Sequence, residues 1–202
     1  MTFKNLLLLF VLGFAISACG NAGSGDGADT DGMAGDTTEM AEETTDEAPE
    51  EDKSQRKSPP MTAEGQVGDA QVTITYGAPS VRGRTIYGDL VPYNQIWRTG
   101  ANEATTISLS DDVMVEGQML PAGTYSVFTI PGEEEWTIIF NEEAEQWGAY
   151  DYDESKDALR VQVTPNMLEE SAEVLAFALE DGQMVLRWDN TEVPVSMSPA
   201  AE

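Results

Sequence analysis

The sequence predicts an all-β fold, an antiparallel β-sandwich of about nine strands, preceded by a signal peptide and a disordered acidic linker. Three observations predict it. After residue 58, apolar and polar side chains alternate in short runs, the period of a half-buried strand. Turn residues punctuate those runs at short intervals. No apolar repeat of helical period survives beyond three turns. The chain divides accordingly into residues 1-18 as leader, 19-57 as linker and 58-202 as the folded domain.

The strands follow in order. Val72, Ile74 and Tyr76 alternate with polar neighbours, and Thr105 to Leu109 is a β-branched run. Val113 to Val115 leads through Glu116-Gly117-Gln118 to Met119-Leu120, a hairpin signature. Pro121-Ala122-Gly123 turns into Thr124 to Ile130, and Pro131-Gly132 turns into Trp136 to Phe140. Leu159, Val161 and Val163 form one alternating set, and Leu175, Phe177 and Leu179 another. Asp181-Gly182 turns into Met184, Leu186 and Trp188, with Val193, Val195 and Met197 as the last set. Two segments read as helical: Met167 to Ala172 as a short connection, and a turn within Leu90 to Trp97.

The leader is as informative as the domain. Lys4 supplies a positive start, Leu6 to Ile16 an apolar core, and Ile16-Ser17-Ala18-Cys19 a lipobox with small residues before the cysteine. The apolar run is too short for a helix across a roughly 30 Å hydrocarbon layer. The expected mature chain begins at Cys19, the only cysteine, carrying diacylglycerol and a further acyl chain such as palmitate. The expected location is the cell envelope, lipid-anchored on the outer membrane, at its periplasmic or surface face. Gly20 to Asp52 holds twelve acids, no base and no aromatic residue. Such a stretch buries too little surface to offset its ordering entropy. About forty flexible residues reach roughly 35 Å, enough to hold the domain clear of lipid.

Composition excludes several functions. The formal charge is −27. No basic stripe exists to displace counterions from phosphates, so no nucleic acid is expected as a partner. The membrane is expected as a partner only through the lipid at the N-terminus. The chain has no histidine, which removes the Ser-His-Asp triad, the Cys-His pair and histidine-ligated zinc. With Cys19 acylated, no thiol nucleophile and no disulfide remain. No metal and no cofactor are expected.

Several long motifs then resemble a known family. They are Gly83-Arg84-Thr85-Ile86-Tyr87-Gly88, Leu90-Val91-Pro92-Tyr93, and Ile96-Trp97-Arg98-Thr99-Gly100-Ala101-Asn102-Glu103-Ala104-Thr105. Leu120-Pro121-Ala122-Gly123-Thr124-Tyr125-Ser126, Thr129-Ile130-Pro131-Gly132 and Gln146-Trp147-Gly148-Ala149-Tyr150 belong to the same pattern. Together they resemble the domain of unknown function 2911 family, over roughly Ser58 to Met197. That family is common in Bacteroidetes-like bacteria, often in secreted proteins and lipoproteins. The resemblance implies one β-rich domain and an envelope location, and it brings no mechanism.

The site candidates come from the residues themselves. Only six bases fall in the folded domain against twenty-five acids, and Arg82, Arg84 and Arg98 lie close together in sequence. Such a cluster predicts an island of positive potential, suited to planar two-point binding of carboxylate or phosphate. Tyr93 and Trp97 would stack on a ligand ring, and Asn102 and Glu103 would hydrogen-bond its hydroxyls. The competing structural reading pairs Arg98 with Glu103 as an internal ion pair pinning a loop. Trp147, Tyr150 and Tyr152 suit stacking on sugars or on a partner's apolar patch, but read better as loop anchors. Asp151 to Asp157 has calcium-loop spacing, but Lys156 and Gln162 stand where glycine and a bidentate glutamate are needed.

The expected function is therefore non-enzymatic: a lipid-anchored envelope module binding a small anionic or sugar-like ligand, or an envelope protein. The rival is a carboxylate-dependent hydrolase of envelope polysaccharide or peptidoglycan, with Glu103 as acid or base and a second carboxyl nearby.

Overall fold

Alternation of inward apolar and outward polar residues drives two antiparallel sheets together over one shared core. The computed structural model describes residues 52–200. Cys19, the leader and the linker as far as residue 51 lie outside the described residues.

The larger sheet has six strands: β1 (Pro60–Val67), β2 (Ala70–Gly77), β3 (Thr105–Leu109), β6 (Gly123–Ile130), β7 (Trp136–Asn141) and β8 (Asp157–Val163). They lie side by side in that order. The smaller sheet has four: β4 (Val113–Val115), β5 (Gln118–Leu120), β9 (Asn166–Glu180) and β10 (Gln183–Pro199), in the order β5-β4-β10-β9. Every pairing is antiparallel. The architecture is thus the expected all-β one, with ten strands where about nine were counted.

Register aligns the buried side chains. Ile74 lies opposite Ile107, which lies opposite Tyr125. Val127 lies opposite Phe140, and Phe140 opposite Leu159. Leu175, Phe177, Leu186, Val193 and Val195 face them from the smaller sheet. Tyr76 and Phe177 meet across the two sheets, edge-on at 5.0 Å. A second, smaller cluster covers the outer face of the larger sheet, where Phe128 and Ile139 are fully buried beneath Ala149 and Tyr152. A sheet face that carries its own apolar cluster is a surface on which loops can be fixed.

Four differences from the sequence expectations have physical causes. β1 was not anticipated, because its alternation is weak; it is an edge strand, mostly exposed, and holds by its ladder to β2. Met167 to Ala172 is not helical. It is the first half of β9, with Met167 opposite Thr191 and Ala172 opposite Asp189, so cross-strand pairing overrides a helix-compatible composition. Leu90 to Trp97 contains no helix either. Val91 bridges Tyr87, Trp97 bridges Thr129, and Asn94 takes a left-handed φ of 58°. The two last expected strands are one, β10, broken in register on both sides of Asp189, which itself has φ 54°.

Candidate functional site

Three arginines were expected to make one cationic island. Their donors are turned elsewhere. Arg84 folds back on its own loop, donating from Nε to the Val81 carbonyl at 3.0 Å and from Nη2 to the Ser80 carbonyl. Arg82 lies against β9: its backbone N–H donates to Glu173 Oε1 at 2.9 Å, and its Nη2 donates to the Lys57 carbonyl at 3.2 Å. Arg98 is half-buried, and among the described residues its buried Nε has no partner. Burial lowers its pKa.

The other expected site residues separate in the same way. Trp97 is a core residue, not a ligand platform: it stacks on Trp188 at 5.8 Å and 20°, and its indole N–H donates to the Gly100 carbonyl. Asn102 is a loop tie. With φ 65°, it donates from Nδ2 to the Ser58 carbonyl, and its own carbonyl accepts from Gly148 N–H at 3.1 Å. Tyr93 is half-buried in a separate, smaller cavity. Only Glu103 of the seven lines a larger cavity.

That cavity is a cleft of about 600 Å³ on the outer face of the larger sheet. Its floor is made by outward residues of adjacent strands, Thr75 of β2 and Thr106 of β3. Backbone pairing sets its wall. Glu103 bridges Trp147, and Ala104 N–H donates to the Gln146 carbonyl at 2.9 Å. Gly77 permits this arrangement by close approach. A Cβ there would sit 2.1 Å from the Ala101 carbonyl oxygen, so only glycine lets the 99–103 loop lie on the end of β2.

Glu103 pairs with Lys53 and Arg56, not with Arg98. The Arg56 guanidinium donates from Nη1 to both carboxylate oxygens at 2.9 Å, and Lys53 Nζ lies 3.0 Å from Oε1. Both cations come from the segment read as the end of the linker, which makes a 3₁₀ turn over Lys53–Gln55. Partial burial opposes ionisation of Glu103. Its own backbone N–H, Arg56 and Lys53 outweigh that and bring its pKa down to about 2. The Arg56 guanidinium also sits 5.7 Å from the centre of the Trp147 ring.

Trp147 remains 54% exposed, whereas Trp97, Trp136 and Trp188 are 8%, 1% and 1% exposed. The anchor reading therefore fits Tyr152 and not Trp147 or Tyr150. Tyr152 packs edge-on to Phe128 at 4.9 Å and donates to Asp157 Oδ2 at 2.7 Å, while Tyr150 is 86% exposed. Beside Trp147, Gln146 is 91% buried (9% exposed). Its Nε2 donates to the Glu143 carbonyl at 2.7 Å, and its Oε1 has no hydrogen-bond partner among the described residues. An unpaired buried carbonyl oxygen is an acceptor ready for a donor.

The loop carrying Trp147 is held from behind. Asn141, fully buried, donates to the Asp153 carbonyl at 2.9 Å and to Asp157 Oδ1 at 2.7 Å. Asp157 Oδ2 also accepts from Arg160 Nε at 2.6 Å, and Asp153 Oδ1 accepts from Ser155. The calcium-like spacing is thus a structural network. No group of three or more potential metal ligands occurs among the described residues.

Sequence reasoning missed most of this cleft. Lys53 and Arg56 were visible as the break in the acidic run, and Trp147 as a loop aromatic. Gln146 stood only within a family-like motif, and Thr75 and Thr106 carried no site signal, because their roles depend on which strands are neighbours.

Fold and cleft together define an all-β domain of two antiparallel sheets with an open, aromatic-walled cleft on the outer face of the larger one. Residues 58–197 match the family described as "Protein of unknown function (DUF2911)", and the chain belongs to that family. No curated protein and no solved structure matches the chain significantly.

Proposed function

We propose that this protein is a lipid-anchored envelope module that binds, without catalysis, a hydroxyl-rich ligand of sugar type in the cleft beside Glu103. The observation that carries the reading is an exposed Trp147 ring next to an ionised carboxylate and the unpaired Gln146 oxygen. An indole face suits the apolar face of a sugar ring, and fixed acceptors suit its hydroxyls. Thr75 and Thr106 add hydroxyls on the floor. A neutral ligand is favoured over an anionic one, because Lys53 and Arg56 already face a carboxylate. Binding is favoured over hydrolysis. Glu103, with a pKa of about 2, holds no proton to donate at neutral pH and is too weak a base to take one efficiently. The lipobox ending at Cys19 and the acidic run after it support an envelope location, with the domain held away from the membrane.

Tryptophan fluorescence tests the binding reading directly, since Trp147 is the one indole well exposed to solvent among the four. Titration with neutral envelope oligosaccharides should give a saturable blue shift that Trp147→Ala abolishes. No saturable shift with any saccharide, or a shift surviving in Trp147→Ala, overturns it. Intact-mass measurement of the membrane fraction tests the anchor: an acyl increment on Cys19 is expected, and an unmodified thiol refutes it.

A further inference from the structure

A second cavity, of about 300 Å³, shares no lining residue with the sugar cleft. Tyr87, Tyr93 and Trp136 line it, together with Asp189 and Glu133. No lysine or arginine is among its described lining residues.

Two features of its wall are unusual. The Tyr87 hydroxyl is buried and has no hydrogen-bond partner among the described residues, although its ring is packed edge-on against Trp136 at 5.1 Å and Trp188 at 6.2 Å. An unpaired buried hydroxyl is costly to keep, so its retention asks for an occupant. Burial, and then the charge of nearby Asp189, push the Tyr87 pKa up, so the hydroxyl stays protonated and neutral. Asp189 itself sits at the bulge of β10, at φ 54°, with Ser171 Oγ donating to its Oδ1 at 3.1 Å. A bulge with left-handed backbone at a non-glycine residue re-aims a side chain at the expense of strain.

We propose that this cavity binds a small primary ammonium group. Its N–H groups donate to the Tyr87 oxygen and the Asp189 carboxylate, and the rings of Tyr93 and Trp136 face the cation. Two carboxylates and no base select a cation over an anion. Aromatic faces attract a cation through their quadrupole. An unpaired oxygen beside a carboxylate favours a group that carries N–H donors over a quaternary ammonium, which has none. The volume exceeds that of a single water and accommodates a short alkylamine or a lysine side chain.

Calorimetric titration of the full chain with n-butylammonium chloride tests the site, at an ionic strength of about 0.15 M to screen general attraction to an acidic protein. One saturable site is expected, at least fivefold tighter than for tetramethylammonium. Asp189→Asn should weaken butylammonium at least tenfold. Tyr87→Phe keeps the ring and removes only the oxygen; it should weaken butylammonium at least threefold and leave tetramethylammonium unchanged. Glu134→Gln, which removes the same charge at an exposed position, should leave butylammonium binding unchanged. Three results would overturn the site: no saturable heat, equal affinity for tetramethylammonium, or equal losses in Glu134→Gln and Asp189→Asn.

Discussion

Removing Arg56 is the sharpest test of how the cleft is assembled, because it separates a docked segment from a passive tether. The guanidinium spans both Glu103 oxygens and is itself only 15% exposed. The depression of the Glu103 pKa from 4.5 to about 2 corresponds at face value to ~3 kcal/mol for all its partners together. The carboxylate is 42% exposed, so solvent screening reduces this to about 1 kcal/mol. Contact with the Trp147 ring adds ~0.5 kcal/mol. Lys53 and the backbone N–H keep part of that, so Arg56→Ala should cost about 1 kcal/mol, or about 3 °C in Tm for a domain of this size.

A double-mutant cycle with Glu103→Gln isolates the pair, by urea denaturation at several pH values. The sign follows from a folded-state pKa below the unfolded one. The stabilisation is complete above pH 4.5 and is lost as pH falls toward about 2. A coupling of about 0.5 kcal/mol at pH 7 that fades between those values is expected. In the single variant Arg56→Ala, the Glu103 carboxyl should titrate closer to 4.5, which carboxyl chemical shifts report directly. Coupling near zero at pH 7, coupling that grows in acid, or a Glu103 pKa unmoved by Arg56→Ala would refute the reasoning.

Two further predictions concern the framework. Gly77→Ala should destabilise by roughly 3 kcal/mol or more, since its Cβ meets backbone at 2.1 Å. Gly83→Ala should cost only about 1 kcal/mol, because it has open space and loses only the ease of φ 69°. Equal losses in parallel thermal melts would show that close approach is not what Gly77 provides. Sodium chloride should raise Tm by screening repulsion among twenty-five acids facing six bases in the folded part. A flat or falling Tm with added salt contradicts that.

Much of the fold was legible because strand periodicity is local. Alternating sets such as Leu159-Val161-Val163 and the Asp181-Gly182 turn need no knowledge of neighbours. Segments whose fate depends on a partner were misread. Met167 to Ala172 has no strand signature of its own and becomes one only beside β10. Trp97 illustrates the same limit at the site. An aromatic beside an arginine reads equally well as a ligand platform or a core residue, and only its stacking on Trp188, ninety-one positions away, decides.

By itself the sequence determined the class of fold, the acidic character, the exclusion of histidine chemistry, and the pattern expected of a lipid-anchored leader. These depend on composition and short-range order, which survive without coordinates. The tertiary structure decided which charges meet. It sent Arg82 and Arg84 to carbonyl groups, gave Glu103 to Lys53 and Arg56, and left Trp147 open beside it. Coulomb energy and hydrogen bonding fall off within a few ångströms, so closeness along the chain says little about pairing until strand order and loop closure set distances in space.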